Sequence, residues 1–383
     1  MPIPDCYADI RPYQDDEVAA VLERVSQSDT VHRALLKYRL PMLPHWLRER
    51  MLPLARYLLD RQLAGVNTVH DFQMWMEGWI ERLLAKTATD VVVRGLDKMA
   101  PEQGHLWISN HRDIAMDPTL INYSLYQAGW PTSRIAIGDN LLSHPDIADV
   151  MRLNKSFIVR RNITNKREKL TALQQLSGYI RFSLDQHESV WIAQREGRAK
   201  NGIDLTDKAV LKMLALHGRE HAETFAATLF ALRPVPVCIQ YEWDPCDLMK
   251  ARELVARSKY GCYSKEEGED TRSLLAGIIG QKGTIHVDFG QPLTDDELAS
   301  AETMAAAIDR QMRHMTEILP VHHAAVRLLQ QRFACYPDVD GGDCSRQIQD
   351  TLWQRIEGEA QDVQKQVLIG YAMPILLQQG IEQ

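Results

Sequence analysis

The sequence predicts an α/β protein, a mixed, mainly parallel sheet flanked by helices, with a helical region at each end of the chain. Three observations predict it. From Asp90 to Phe289, short apolar or β-branched runs alternate with longer stretches of helical period, the pattern of strands joined by crossover helices. Before this, residues 15–87 repeat apolar positions at spacings of three and four. After Pro292 the chain becomes alanine- and methionine-rich and helical again. The expected division is therefore a helical N-terminal region over 1–88, an α/β domain over 89–293 and a helical C-terminal region over 294–383.

Each element has a local cause. Between Leu40 and Val66, Pro41, Pro44 and Pro53 should break the chain into short helices, because proline removes a backbone donor and clashes with the preceding turn. Arg48, Arg50, Arg56 and Arg61 are interleaved there with Met42, Leu43, Leu47, Met51, Leu54, Leu58 and Leu59, a mixture that suits either a core-facing helix or one lying on a membrane surface. Val91, Val92 and Val93 open the sheet. Further strands are expected at Leu106–Ser109, Arg134–Gly138, Ser156–Arg160, Val190–Ala193, Val235–Tyr241 and Thr284–Phe289, with helices over Lys166–Gln186 and Asp207–His217. Asp117-Pro118 reads as an N-cap and first-turn pair, and Thr294-Asp295-Asp296-Glu297 as a capping box starting the next helical region. Pro337–Asp343 is a loop, and Gln347–Gln379 is helical with an interruption at Pro374.

Composition limits the function classes. A chain of 383 residues with 45% hydrophobic and 25% charged residues can bury a sizeable core. A net charge of −7 argues against general nucleic-acid binding, which needs an excess of Lys and Arg. The six cysteines are scattered without zinc-ligand spacing and fit a reducing compartment. The first residues are too polar for a signal peptide, and no apolar run approaches the ~20 residues of a membrane span. A cytoplasmic protein is expected, or one peripheral on the cytoplasmic face of a membrane.

Four clusters carry candidate chemistry. The first is His105-Leu-Trp-Ile-Ser-Asn-His-Arg-Asp-Ile-Ala-Met-Asp-Pro118, where a buried strand runs through a turn into a helix start. His111, Asp113 and Asp117 fall in or beside that turn, where side chains reach solvent and substrates. The second is Lys155-Ser-Phe-Ile-Val-Arg160-Arg161. From Arg152 to Lys169 the local net charge is +6, which suits an anionic ligand because guanidinium forks match phosphate. The third, Trp191-Ile-Ala-Gln-Arg-Glu196-Gly197-Arg198-Ala-Lys-Asn-Gly202, is a strand opening into a polar, glycine-containing turn. The fourth, Arg233-Pro-Val-Pro-Val-Cys-Ile-Gln-Tyr241, is an apolar strand started by prolines.

In this order and spacing, the clusters resemble the blocks of the glycerol-3-phosphate and lysophosphatidate acyltransferase family. The resemblance covers His105 to Tyr241, with weaker support from Gly283 to Pro292. The chain departs from the family pattern in two places. Five residues rather than four separate His111 from Asp117, so either the turn carries an extra residue or Asp113 takes the aspartate's place, and the apolar residues after Asp117 favour Asp117. The third block, Arg195-Glu196-Gly197-Arg198, is one residue shorter than the common form.

The resemblance implies transfer of a fatty acyl group from acyl-CoA or acyl carrier protein to a hydroxyl of glycerol 3-phosphate, lysophosphatidate or a related precursor. His111 would act as general base, with Asp117 or Asp113 orienting it. Arg161, helped by Arg160, would hold a phosphate, Glu196 and Gly197 would position the acceptor, and Arg198 would be a secondary phosphate candidate. It implies no metal and no cofactor beyond the acyl donor. The alternative is a non-catalytic lipid- or anion-binding protein that retains the fold. Two decoys fail. His111-Arg112-Asp113 has Pro118 where a kinase catalytic loop needs asparagine, and Asp338–Asp343 lacks the glycine and closing glutamate of a calcium loop. His322-His323 has no further ligand at metal spacing, and both are expected to be surface or core histidines.

Overall fold

A computed structural model describes residues 3–40, 42–142 and 145–381. Among these, seven strands form one sheet: β1 Ala88–Arg94, β2 Leu106–Ser109, β3 Arg134–Gly138, β4 Ser156–Val159, β5 Val190–Ala193, β6 Pro234–Tyr241 and β7 Gly283–Phe289. Their spatial order is β1-β7-β6-β2-β5-β3-β4, and every neighbouring pair is parallel except β6 with β7. The sheet is thus mixed and mainly parallel, as the alternating pattern predicts. β2 sits in the middle, flanked by β5 and β6.

Strand side chains alternate between two covered faces, which is why the strands read as continuous apolar runs. Leu106, Ile108, Val190 and Ile192 pack on one side with Tyr179 and Leu184 of the Lys166–Asp185 helix and with Met304 and Ile308 of the Ala301–Met315 helix. On the other side, Trp107, Trp191, Val237, Ile239 and Val287 meet Leu120 and Leu125 of the Met116–Gln127 helix. The helices Pro320–Phe333, Arg346–Ile356 and Gln361–Gln378 build a further core, joined by Ala251 from the Asp247–Tyr260 helix. An N-terminal cluster around Val18, Val21, Leu59 and Phe72 packs against Leu153.

Several boundaries differ from the sequence-based expectation, for local reasons. Asp117 does not cap the helix that starts at Met116; Asp113 does, its Oδ1 accepting the amides of Ala115 (3.0 Å) and Met116 (2.9 Å). The helix expected from Thr294 starts at Ala301, where Ser300 and Thr303 form the capping box, while the 294–298 turn delivers Leu298 into the core. The Gln361–Gln378 helix runs through Pro374 without interruption. The carbonyl nearest the proline ring belongs to Gly370, and buried Met373, Ile375 and Leu376 hold the turn by packing. Pro44 precedes the His45–Arg50 helix and Pro53 lies in the first turn of Leu52–Leu63, while Pro41 lies outside the described residues. His322 is buried, its Nδ1 accepting the Leu319 amide at 3.1 Å. Burial, with help from Arg112 and His323, pushes its pKa down to about 3.

Candidate active site

The central strand β2 ends at Ser109, and the next six residues turn into the Met116–Gln127 helix. Asn110 extends the pairing beyond the strand. Its side chain accepts the Ile239 amide (2.8 Å) and donates to the Ile239 carbonyl (2.9 Å), fastening the turn to β6. On the other flank the Ala199 amide donates to the His111 carbonyl at 2.8 Å, so the turns after β2 and β5 are joined. Ser109 Oγ accepts the indole N–H of Trp191 at 2.9 Å, which sets that ring edge-on to His111 with centroids 6.0 Å apart. The imidazole is thereby held from its main chain and from one edge.

Asp117 is fully buried, and four donors converge on it. Oδ2 accepts from His111 Nδ1 (2.9 Å), Arg112 N (2.7 Å) and Asp113 N (2.9 Å), while Oδ1 accepts from the Tyr241 hydroxyl (2.8 Å). Such a set fits a carboxylate anion, which only accepts. It fixes the hydrogen of a neutral His111 on Nδ1 and leaves Nε2 with a lone pair. Among the described residues no hydrogen bond engages Nε2, and the His111 side chain is 13% exposed. Burial, reinforced by the charges of Asp117 and Asp113, drives the Tyr241 pKa far above its usual value, so the phenol stays a donor.

Asp113 makes no bond to His111 and points instead at the helix start and the Glu269–Ile279 helix. A Cβ on Gly277 of that helix would lie 1.9 Å from Asp113 Oδ2, so only glycine fits there. Burial, and then the charge of Asp117, raise the Asp113 carboxyl pKa.

The basic and acidic clusters divide. Arg161 lies across Gly138, where a Cβ would come within 2.7 Å of its Nε, and its Nη1 is 3.9 Å from Glu196 Oε1. Glu196 is 71% exposed, so this pair is open to solvent and weak as a stability element. Arg160 turns the other way and pairs with Asp9 of the N-terminal segment. Arg198 donates to Ser273 Oγ at 2.7 Å, away from Glu196, and Gly197 supplies the turn with φ +75°. The structure therefore brings His111 to Asp117 and Arg161 to Glu196, and draws Arg160 and Arg198 to other partners.

Beside the turn is a polar cavity of about 80 Å³. Asn110, Arg112, Asp204, Asp244, Lys250 and Tyr371 line it, whereas His111, Arg161 and Glu196 do not. It has room for a few waters. Its charges are paired: Arg112 with Asp204 at 2.6 Å and Lys250 with Asp244. Burial works against the Asp244 charge, but the cation and hydrogen bond of Lys250 hold its carboxyl below the usual range. Tyr241, Asn110 and Lys250 are residues that sequence reasoning missed. Only Tyr241 carried a signal, as the polar terminus of the fourth cluster. Among the described residues, no three His, Cys, Asp or Glu side chains are placed to hold a metal ion.

Comparison with known proteins gives a family match and a structural match. Residues 90–224 match the family model described as Acyltransferase. The fold is similar to that of the 1-acyl-sn-glycerophosphate (LPA) acyltransferase PlsC from Thermotoga maritima, with 14% identity, a TM-score of 0.40, and coverage of 78% of this chain and 94% of that one. No curated protein sequence matches the chain. The family match begins in β1, spans the His111 turn, the Arg161 strand end and the Glu196 turn, and ends after β5, so this chain carries an acyltransferase-family domain across residues 90–224.

Proposed function

We propose that the protein is a glycerolipid O-acyltransferase in which His111 acts as general base. The observation that carries this reading is the His111–Asp117 pair, with Nδ1 tied to a buried carboxylate and Nε2 unengaged at the carboxyl end of the central strand. Such an imidazole can take the proton from an acceptor hydroxyl as its oxygen attacks the carbonyl carbon of an acyl thioester. The C–O bond forms, the C–S bond breaks, and the thiolate leaves with the proton returned by the imidazolium, which Asp117 stabilises meanwhile. The donor would be acyl-CoA or acyl carrier protein. The acceptor would be glycerol 3-phosphate, lysophosphatidate or a related hydroxyl.

Arg161 beside Glu196 supports a phosphorylated acceptor, since the guanidinium can hold the phosphate while the exposed carboxylate takes a hydroxyl. Asp113 fits the role of helix cap better than that of His111 partner. The approach of Asp117 to His111 also weighs against a purely binding role, which would not need it.

A membrane surface is the proposed place of work. No helix among the described residues is long and apolar enough to cross a bilayer. Met42 (94% exposed), Trp46, Leu54, Tyr57 and Leu58 are instead exposed within one short stretch of chain that also carries exposed Arg39, Arg50, Arg56 and Arg61, a combination suited to anionic lipid.

The decisive variant is His111→Ala in the purified protein. With an unchanged melting temperature, acyl transfer should fall by roughly a hundredfold or more, the usual contribution of a general base. Full activity in that variant would remove His111 from the mechanism.

A further inference from the structure

The peptide joining Arg112 to Asp113 is held from both sides. Its N–H, that of Asp113, donates to Asp117 Oδ2 at 2.9 Å. Its carbonyl, that of Arg112, accepts from Lys250 Nζ at 2.7 Å. Because a peptide unit is planar with its N–H and C=O opposed, fixing the oxygen fixes the direction of the hydrogen. Lys250 also polarises the unit, which strengthens the N–H as a donor to the carboxylate. The lysine is 4% exposed on the Asp247–Tyr260 helix, beyond the residues that match the acyltransferase family. Its own place is set by Asp244, whose amide donates to the Tyr371 hydroxyl (2.9 Å) on the Gln361–Gln378 helix.

We propose that Lys250 is a positioning residue for the His111–Asp117 pair, through which the C-terminal helices set the geometry of the catalytic turn. The inference rests on His111 acting as the base. Lys250 touches neither His111 nor Asp117 and acts through the shared peptide. Without it the Asp113 amide is free to turn, Asp117 loses a fixed donor, and the imidazolium loses part of its support.

The test uses the full-length protein and a pair of substitutions, because Lys250→Met alone would strand the Asp244 carboxylate in a buried site and unfold the interface. In the Lys250→Met/Asp244→Asn double variant, kcat should fall about tenfold or more while KM for donor and acceptor stays within about threefold, as expected when orientation rather than binding is lost. The acid limb of its kcat/KM profile should move to lower pH, because a less supported imidazolium gives up its proton more readily. Lys250→Arg should retain more activity than the double variant. Arg252→Met removes an ion pair from the same helix, that of Arg252 with Glu359 at 2.5 Å, and touches neither Asp244 nor the turn; it should leave kcat unchanged.

Wild-type kcat and an unmoved acid limb in the double variant would overturn the proposal. So would an equal loss of kcat in Arg252→Met, which would make the effect one of general loosening. His111→Ala is measured alongside. If it is inactive while the double variant is normal, only the positioning role falls; if it is fully active, the base assignment falls and this proposal with it.

Discussion

Each of the four donors to Asp117 constrains it differently: two amides fix its place at the turn, Tyr241 ties it to β6, and His111 takes the remaining direction. An amide in place of that carboxylate would present an N–H to at least one of these donors and would favour the wrong imidazole tautomer. Asp117→Asn should therefore reduce kcat by about a hundredfold or more with the fold intact. Asp113→Asn should keep activity within a few fold and cost under about 1 kcal/mol, because asparagine also caps helices well. Steady-state kinetics and urea unfolding of the two variants decide between them, and the larger kinetic loss in Asp113→Asn would contradict the assignment. The sequence placed both aspartates near His111 but left their roles open, since spacing alone does not say which carboxylate turns back to the imidazole and which turns forward to the helix amides. It placed Tyr241 at the polar end of the fourth cluster but not beside Asp117, which the phenol reaches across 124 residues of chain. It also treated Arg160 and Arg161 together. Consecutive residues at a strand end face opposite ways, so one meets Asp9 and the other Glu196.

At the level of elements, the strands were the most legible, because most are short apolar runs buried on both faces and bounded by turn residues, edge strand β1 being the exception. Helix starts were less so. Thr294 and Ser300 both offer caps, and the burial of Leu298 rather than local propensity selected the second. The helices Pro145–Leu153, Asp247–Tyr260 and Glu269–Ile279 escaped notice because charged residues interrupt their apolar period, and the second of them carries Lys250. The Leu52–Leu63 helix shows both sides of the pattern problem. Leu59 and Leu63 are buried, while Leu54, Tyr57 and Leu58 are exposed, so its apolar residues exceed what its core contact needs. If that outer face meets a membrane, the protein should sediment with anionic phosphatidylglycerol vesicles and much less with neutral phosphatidylcholine. A Trp46→Ser/Tyr57→Ser variant should lose roughly tenfold in vesicle affinity while keeping its melting temperature. Equal binding by the variant would exclude this face.

Across the whole molecule, the alternating pattern foretold a mixed, mainly parallel sheet, but not the strand order or the reversal at β6 and β7, which depend on contacts between distant segments. Nor did it foretell that the Ala301–Met315 helix shares the sheet's core, or that the helices after Leu319 close over the back of the β2 turn. These later segments make the turn a joint construction of the acyltransferase-family domain and the C-terminal helices. In the proposed function this assembly moves acyl groups onto a phosphorylated glycerol. The most direct measurement incubates the full-length protein with acyl-CoA and with acyl carrier protein thioester, each against glycerol 3-phosphate and lysophosphatidate, and identifies the products by mass spectrometry. At least one pair should yield an ester product and free thiol in equal amounts. Binding of donor and acceptor with no ester formed from any pair would contradict it.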